Sequence, residues 1–288
     1  MLKNVNEIKR VLIHIRWPLQ SFTLLGFLFG MLANHVVFST SLVLGFISWF
    51  LLCGGIVVFN SYYDKDVGPV AGLEKPPTST FSMFVGAWLL KLSGFIIALF
   101  LNNIFLIAYI MGVILSVLYS HEKFRFKSNG YVAILFNFII GATTFIVTSF
   151  FSPTINTGVL FFGSISAGIF LAAIYLMMQV HQREEDKARR DNSIMVLYGR
   201  KITLTLVLYL MIISAILSTI TFVLSDLPWF YIWICMVYFI VILFISRAWL
   251  DKQGGPTSDF KIMNKLTMGL CYTANVLVAT IYILEAID

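Results

Sequence analysis

The residues of this chain best suited to chemistry lie in two short acidic stretches. The first places Asn60 and Asp64 four residues apart, with Asp66 close behind. If one helix runs through them, Asn60 and Asp64 lie on one face, a turn apart. The second spaces Gln179, Gln182 and Asp186 as i, i+3 and i+7, with Glu185 adjacent. Carboxylate and amide oxygens suit Mg²⁺, which binds through a few carboxylates, waters and substrate phosphates. Two facing clusters of this kind would hold a diphosphate between metal ions. Taken singly, each of these residues also fits a plainer role, solvating a loop at a helix end; it is the pairing that points to chemistry.

The elements that must position these clusters are membrane spans. Of 288 residues, 59% are hydrophobic and only 12% charged, and the mean hydropathy is +0.89. That charge content is about half of what a soluble domain carries, so a soluble fold is excluded. Apolar runs long enough to cross a bilayer recur at 18–36, 40–60, 82–101, 103–119, 131–151, 158–180, 202–224, 228–249 and 264–285. The sequence therefore predicts an all-α integral membrane protein with nine transmembrane helices, a single domain over 18–288. The segment 1–17 is too charged for a signal peptide and is expected to lie as an amphipathic helix at the membrane surface.

With the N-terminus placed in the cytoplasm, 19 of the 20 Lys and Arg residues fall in inner segments. The positive-inside rule thus fixes the orientation, with the C-terminus on the opposite side. The same asymmetry explains the net charge of +6 without nucleic acid. The exception is Lys91, inside a span, which must face protein or water. Cys53, Cys235 and Cys271 all fall in apolar segments without metal-ligand spacing and are read as core residues. His14, His35, His121 and His181 are read as interfacial or exposed, and Arg189 and Arg190 as topology-setting charges. An even number of spans separates the acidic stretches, so both emerge on the inner side and can converge over one cavity.

Three inner segments together resemble the UbiA superfamily of intramembrane prenyltransferases, and the likeness extends over nearly the whole chain. Its first acidic motif, NDxxDxxxD, is met by Asn60 and Asp64, with Ser61 and Gly68 in place of two acidic residues. The basic-proline segment that follows is matched by Lys75, Pro76, Pro77, Thr78 and Ser79. The middle loop, YSxPPxRxK, retains Tyr119, Arg125 and Lys127, while Lys123 gives the YxxxK spacing. The second acidic motif, DxxDxxxD, is met in register by Gln179, Gln182 and Asp186, resembling a QxxQxxED branch of the family.

The resemblance implies nine helices around a central cavity with a polar inner mouth and an apolar chamber open sideways to lipid. It implies Mg²⁺-dependent transfer of an isoprenyl group from an isoprenyl diphosphate of C15–C20 or longer to a lipophilic acceptor, releasing pyrophosphate. Two Mg²⁺ ions would be held by Asn60, Asp64, Asp66, Gln182, Glu185 and Asp186. Lys75, Lys123, Arg125 and Lys127 would bind the diphosphate, and Asp64, Asp186, Lys123 and Tyr119 would be the catalytic residues. A terpene cyclase of the same fold, which would make hydrocarbon or alcohol from donor alone, is the alternative. A transporter is a reading of another class, and would be expected to show inverted repeats and interrupted spans.

Overall fold

A computed structural model describes residues 6–229 and 256–287. The described residues form ten α-helices: α1 (Glu7–His14), α2 (Trp17–Ala33), α3 (Thr40–Asp64), α4 (Phe81–Ala98), α5 (Asn103–Ser120), α6 (Gly130–Ser149), α7 (Thr157–Gln179), α8 (Arg183–Ala188), α9 (Ile194–Leu224) and α10 (Pro256–Ile287). A single 3₁₀ turn, Phe126–Ser128, precedes α6. Only helices satisfy backbone groups within their own segment, which is the condition for crossing hydrocarbon without a closed barrel.

Seven of these helices are long and apolar enough to span a membrane: α3 to α7, α9 and the Phe260–Glu285 part of α10. The pair α1 and α2, bent by 44°, makes an eighth if counted as one span. The expected eighth span, 228–249, lies almost entirely outside the described residues, so nine is not counted among them. Polar residues set the helix starts. The side chains of Ser39, Asn102, Asn129, Asn156 and Ser193 each accept a hydrogen bond from a first-turn amide of the helix that follows, satisfying donors that would otherwise be orphaned. Asn102 thereby starts α5 only a few residues after α4 ends.

The helices α6, α7 and α9 pack in sequence, α3 packs on α4, and α10 packs on α2. Large apolar side chains such as Leu89, Ile107, Leu135 and Ile216 remain exposed on the outer faces, as lipid-facing surfaces require. Inside the α4 span, Lys91 is buried; its ammonium donates to Ser116 Oγ at 2.7 Å and sits 3.9 Å from the centre of the Phe59 ring and 5.0 Å from that of Trp88. Lys91 thus faces protein, meeting a hydroxyl and two aromatic faces. Cys53 and Cys271 are buried free thiols; Cys235 lies outside the described residues.

Two backbone breaks shape the inner end of the bundle. Arg16, between α1 and α2, is in the left-handed region at φ 54°, an uncommon state for a residue with a side chain. That conformation makes the bend and turns the guanidinium inward. Gly199 interrupts α9 at φ 75° and ψ 177°, a backbone state restricted to glycine. The turn Ile194–Tyr198 before it stays at the loop end of the bundle, and the span proper begins near 200, close to the predicted 202.

Candidate active site

The C-terminal ends of α3 and α7, the α8 segment and the loop before α6 surround one cavity of about 360 Å³, within the range of small-molecule sites. Its mouth is lined by three cations, Arg16, Lys127 and Arg189, and four carboxylates, Asp64, Asp66, Asp186 and Asp191. Further in, the lining is mostly apolar and aromatic.

Asn60 and Asp64 do share the last turn of α3, where Asn60 Nδ2 donates to Asp64 Oδ2 at 2.9 Å. Lys127 donates to Asn60 Oδ1 at 2.8 Å and makes a short ion pair with Asp64 Oδ1. Ser120 at the end of α5 also donates to Asn60 Oδ1, at 3.0 Å. Asp66 accepts from Arg189 Nη1 at 2.7 Å and lies 3.6 Å from Arg16 Nη2. Arg16 also donates to Ser61 Oγ at 2.7 Å. The residue that replaces an acidic family position is thus the acceptor for a buried arginine.

The second cluster is not one continuous helix as its spacing suggested. The chain leaves α-helix at Gln179 and resumes at Arg183, yet Gln179, Gln182 and Asp186 all line the cavity. Arg189 ties this half together, reaching Asp186 at 3.2 Å and Asp191 at 3.5 Å. Burial is the largest influence on several of these groups. It pushes the carboxyls of Asp66 and Asp186 above the usual aspartate range, with the neighbouring Asp64 charge adding to the effect on Asp66. It also pulls Lys127 below the usual lysine range, against the opposing pull of Asp64.

Four of the residues expected at the site lie outside the cavity lining. Lys75 and Lys123 are exposed and do not line the cavity. The segment after Lys75 is held against α1 instead, where Arg10 donates to Thr78 and His14 bonds the Pro77 carbonyl. Lys123 sits on a tight turn that reverses at Arg125, φ 40°, and only beyond that reversal does Lys127 point inward. Arg125 acts one step removed, pairing bidentately with Asp191. Glu185 does not line the cavity; its Oε1 accepts from the Gly68 amide at 2.7 Å.

This last contact explains Gly68. A Cβ there would collide with the Glu185 carboxylate, so the second acidic stretch occupies the space in which a family aspartate would project from the first. We expect Gly68→Ala to break this clasp and lower catalytic turnover by about tenfold through a displaced loop; steady-state kinetics beside Glu185→Ala, which removes the acceptor, should show the same loss in both.

Sequence pattern assigns no site role to Arg16, Tyr175 or Asp191, and marks Arg189 as a topological charge. No spacing signal marks Arg16, which arrives from a separate helix. His181, expected to be exposed, is buried, its ring 5.2 Å from that of Phe260. Burial, with help from the Arg16 charge, brings its pKa down to about 4. A base whose folded pKa is depressed stabilises the fold above its unfolded value, near 6.5, and loses that contribution as pH falls toward 4. Thermal unfolding in detergent should therefore show acid destabilisation between pH 6.5 and 4, up to about 3 kcal/mol from this residue, and His181→Phe should flatten the slope.

A family profile described as the UbiA prenyltransferase family matches residues 21–279, most of the chain. The chain belongs to the UbiA prenyltransferase family. It is accordingly a multi-pass membrane enzyme of the prenyltransferase class. Among relatives of this UbiA protein, a digeranylgeranylglyceryl phosphate synthase from Methanosphaera stadtmanae is 23% identical over 243 residues, covering 81% of this chain and 85% of that one. A UbiA homologue from Archaeoglobus fulgidus, solved with DMAPP and Mg²⁺, superimposes with a TM-score of 0.71 at 19% identity, covering 93% of this chain and 99% of that one. An apo UbiA homologue from Aeropyrum pernix gives a TM-score of 0.70 at 15% identity, with 93% and 98% covered. At these identities the solved structures establish a shared UbiA fold.

The mouth also fits a divalent metal chemically. Among the described residues no three His, Cys, Asp or Glu side chains form a ready metal cage; the mouth aspartates lie beside arginine or lysine instead. Mg²⁺ does not require such a cage, because it binds through one or two carboxylates plus waters and substrate phosphates. The four mouth carboxylates are matched by Arg16, Lys127, Arg189 and, through Asp191, Arg125, so no cation is left over for a diphosphate. All-oxygen donors match a hard divalent cation delivered with its phosphate ligand.

Proposed function

We propose that this protein transfers an isoprenyl group from an isoprenyl diphosphate to a lipophilic acceptor within the membrane, with Mg²⁺ as cofactor and pyrophosphate as the second product. The observation that carries this reading is the polarity of one cavity: an acid and base mouth opening directly into an apolar, aromatic chamber. Such a cavity matches a molecule with a multiply charged head and a hydrocarbon tail. The Archaeoglobus fulgidus homologues solved with DMAPP and with GPP, each with Mg²⁺, and the lipid-synthase relative support the same class of substrate.

Asp64, Asp66 and Asp186, with Asn60 and Gln182, would hold two Mg²⁺ ions. When bound, these ions neutralise the leaving diphosphate. Arg16, Lys127 and Arg189 would then turn from their carboxylates to diphosphate oxygens, adding the charge stabilisation that dominates such reactions. Breaking the bond between the allylic carbon and the diphosphate oxygen leaves an allylic cation. Tyr119 and Tyr175 line the cavity just inside the mouth, where aromatic faces favour a cation by up to about 2 kcal/mol when desolvated. The apolar chamber keeps water from that cation until the acceptor supplies the electron pair. The mouth and loops face the cytoplasm, following the basic residues.

The direct test is Mg²⁺-dependent release of pyrophosphate from farnesyl or geranylgeranyl diphosphate by purified protein, with mass spectrometry of the products. Release without any acceptor, giving cyclic hydrocarbon or alcohol, would assign the cyclase chemistry instead. No release with either donor would overturn the reading.

A further inference from the structure

The first helix is inside out for a helix in water. Arg10 and His14, four residues apart on one face of α1, are buried against the rest of the protein. Arg10 donates to the Thr78 carbonyl at 2.5 Å and to Thr78 Oγ1 at 2.8 Å, and His14 Nε2 bonds the Pro77 carbonyl at 3.0 Å. At the start of the helix, Glu7 accepts from the hydroxyls of Thr80 and Ser82. Ile8 and Leu12, also four residues apart, share a different face and are 70% and 46% exposed. A helix on the surface of a soluble protein shows the reverse, with its apolar stripe inward and its charges outward.

The place of this edge says what covers it. α1 packs on α4 at Val11, whose methyl groups would collide with a Cβ on Gly86. Next to that contact and beyond it, Val85, Leu89 and Leu92 form part of the exposed apolar surface of the α4 span. The Ile8 and Leu12 edge therefore adjoins the lipid-facing belt of the bundle, at the end that carries the cavity mouth. Trp17 is exposed at the same boundary, where indole rings settle at membrane interfaces. Lys9, exposed beside Ile8, is suited to lipid phosphates with its stem laid along apolar surface.

The same helix leads directly into the mouth. The Arg16 amide donates to the Ile13 carbonyl of α1 at 3.0 Å, and the Arg16 carbonyl accepts from the Leu19 amide of α2 at 2.7 Å. Its backbone is thus tied to the last turn of one helix and the first turn of the next, so a shift of α1 carries Arg16 with it. The far end of that connection is the guanidinium, bonded to Ser61 and 3.6 Å from Asp66. We propose that α1 is a lipid-docking helix: its Ile8 and Leu12 edge beds in the headgroup and acyl boundary of the bilayer on the mouth side, and that bed holds Arg16, as a positioning effect, in the mouth. The consequence for diphosphate binding rests on the proposed function, whereas the lipid contact stands without it.

The experiment uses the full chain in nanodiscs holding one chain each. Hydrogen exchange of the α1 amides is followed by mass spectrometry, and binding of farnesyl thiolodiphosphate with Mg²⁺ by calorimetry. Leu12→Asp should speed exchange over α1 by about tenfold or more, the effect of withdrawing a large apolar side chain from the bilayer. It should also weaken the analogue by about tenfold, as expected when a charged hydrogen-bond donor is displaced. Leu12→Trp, which suits the interface, should keep both values near those of the unmodified protein. Its added indole should be quenched by lipids brominated on the upper acyl chain, a readout that holds even where the aspartate variant fails to fold. Unchanged exchange in Leu12→Asp, or an unquenched indole, would overturn the lipid contact and leave the edge to water or to a second copy of the chain. Faster exchange with unchanged analogue affinity would overturn the hold on Arg16. An unmodified protein that binds no analogue would overturn the proposed function alone, since exchange and quenching need no diphosphate.

Discussion

Asp64→Asn and Asp186→Asn are each expected to reduce Mg²⁺-dependent pyrophosphate release by about a thousandfold or more, the equivalent of the several kcal/mol that a bound metal contributes to a leaving group. Asp64 stands at the junction of the first cluster, bonded to Asn60 and paired with the buried Lys127. Asn keeps the volume and one acceptor oxygen but removes the charge that both Lys127 and a divalent cation need. Asp186 holds the corresponding place in the second cluster against Arg189. Turnover and thermal unfolding should be measured on the same preparations, so that a protein that folds but does not turn over is recognised. Full activity in either variant would sink the two-cluster arrangement.

Arg189→Ala should produce the largest structural effect at the mouth, a loss of about 3 kcal/mol in unfolding free energy, as expected when one partner of a buried charge network is removed. Its guanidinium reaches Asp66 at 2.7 Å, Asp186 at 3.2 Å, Asp191 at 3.5 Å and Glu185 at 3.9 Å. Without it, Asp66 keeps only the longer contact to Arg16, and the four mouth carboxylates are left with Arg16, Lys127 and Arg125 as counter-charges. Arg189→Lys should recover stability only in part, because one ammonium cannot span several carboxylates as the planar fork does. Added Mg²⁺ should raise the midpoint of Arg189→Ala more than that of the unmodified protein, since the freed carboxylates then need a counter-charge. An unchanged midpoint in Arg189→Ala would show that the network carries no net stability.

Much of this organisation was legible because membrane proteins write their topology in composition. Hydrocarbon forces near-continuous apolar runs, and charge asymmetry marks their ends. For the same reason the spacing of Asn60 and Asp64 was readable: α3 continues to Asp64 without a break, so i and i+4 coincide on one face. The spacing of Gln179, Gln182 and Asp186 picked out residues that line one cavity, through a helix that does not exist as one piece. Their convergence depends on the interruption between Gln179 and Arg183.

Basic residues were harder to place, because an inner loop needs positive charge whatever its function, so sequence alone cannot separate topological lysines from those that face the cavity. Lys75 and Lys123 carried the family pattern, yet packing against α1 and the reversal at Arg125 leave them in solvent. Arg16 and Arg189 carried no pattern, yet Arg16 is buried and Arg189 half-buried at the mouth. Their roles arise from where the bend after α1 and the turn after α8 aim them. His181 shows the same limit, as its burial depends on α10 closing over it from far along the chain.

Local composition and helical period were enough to place the membrane-spanning helices, the side on which the polar groups gather, and the two acidic stretches. Tertiary packing was needed to pair particular cations with particular carboxylates, to make Gly68 yield its space to Glu185, and to bring Phe29 and Phe222 together in the cavity lining. Those outcomes depend on contacts between segments distant in the chain, 63 residues for Lys127 with Asp64 and 117 for Gly68 with Glu185, and local period carries no information about distance in space.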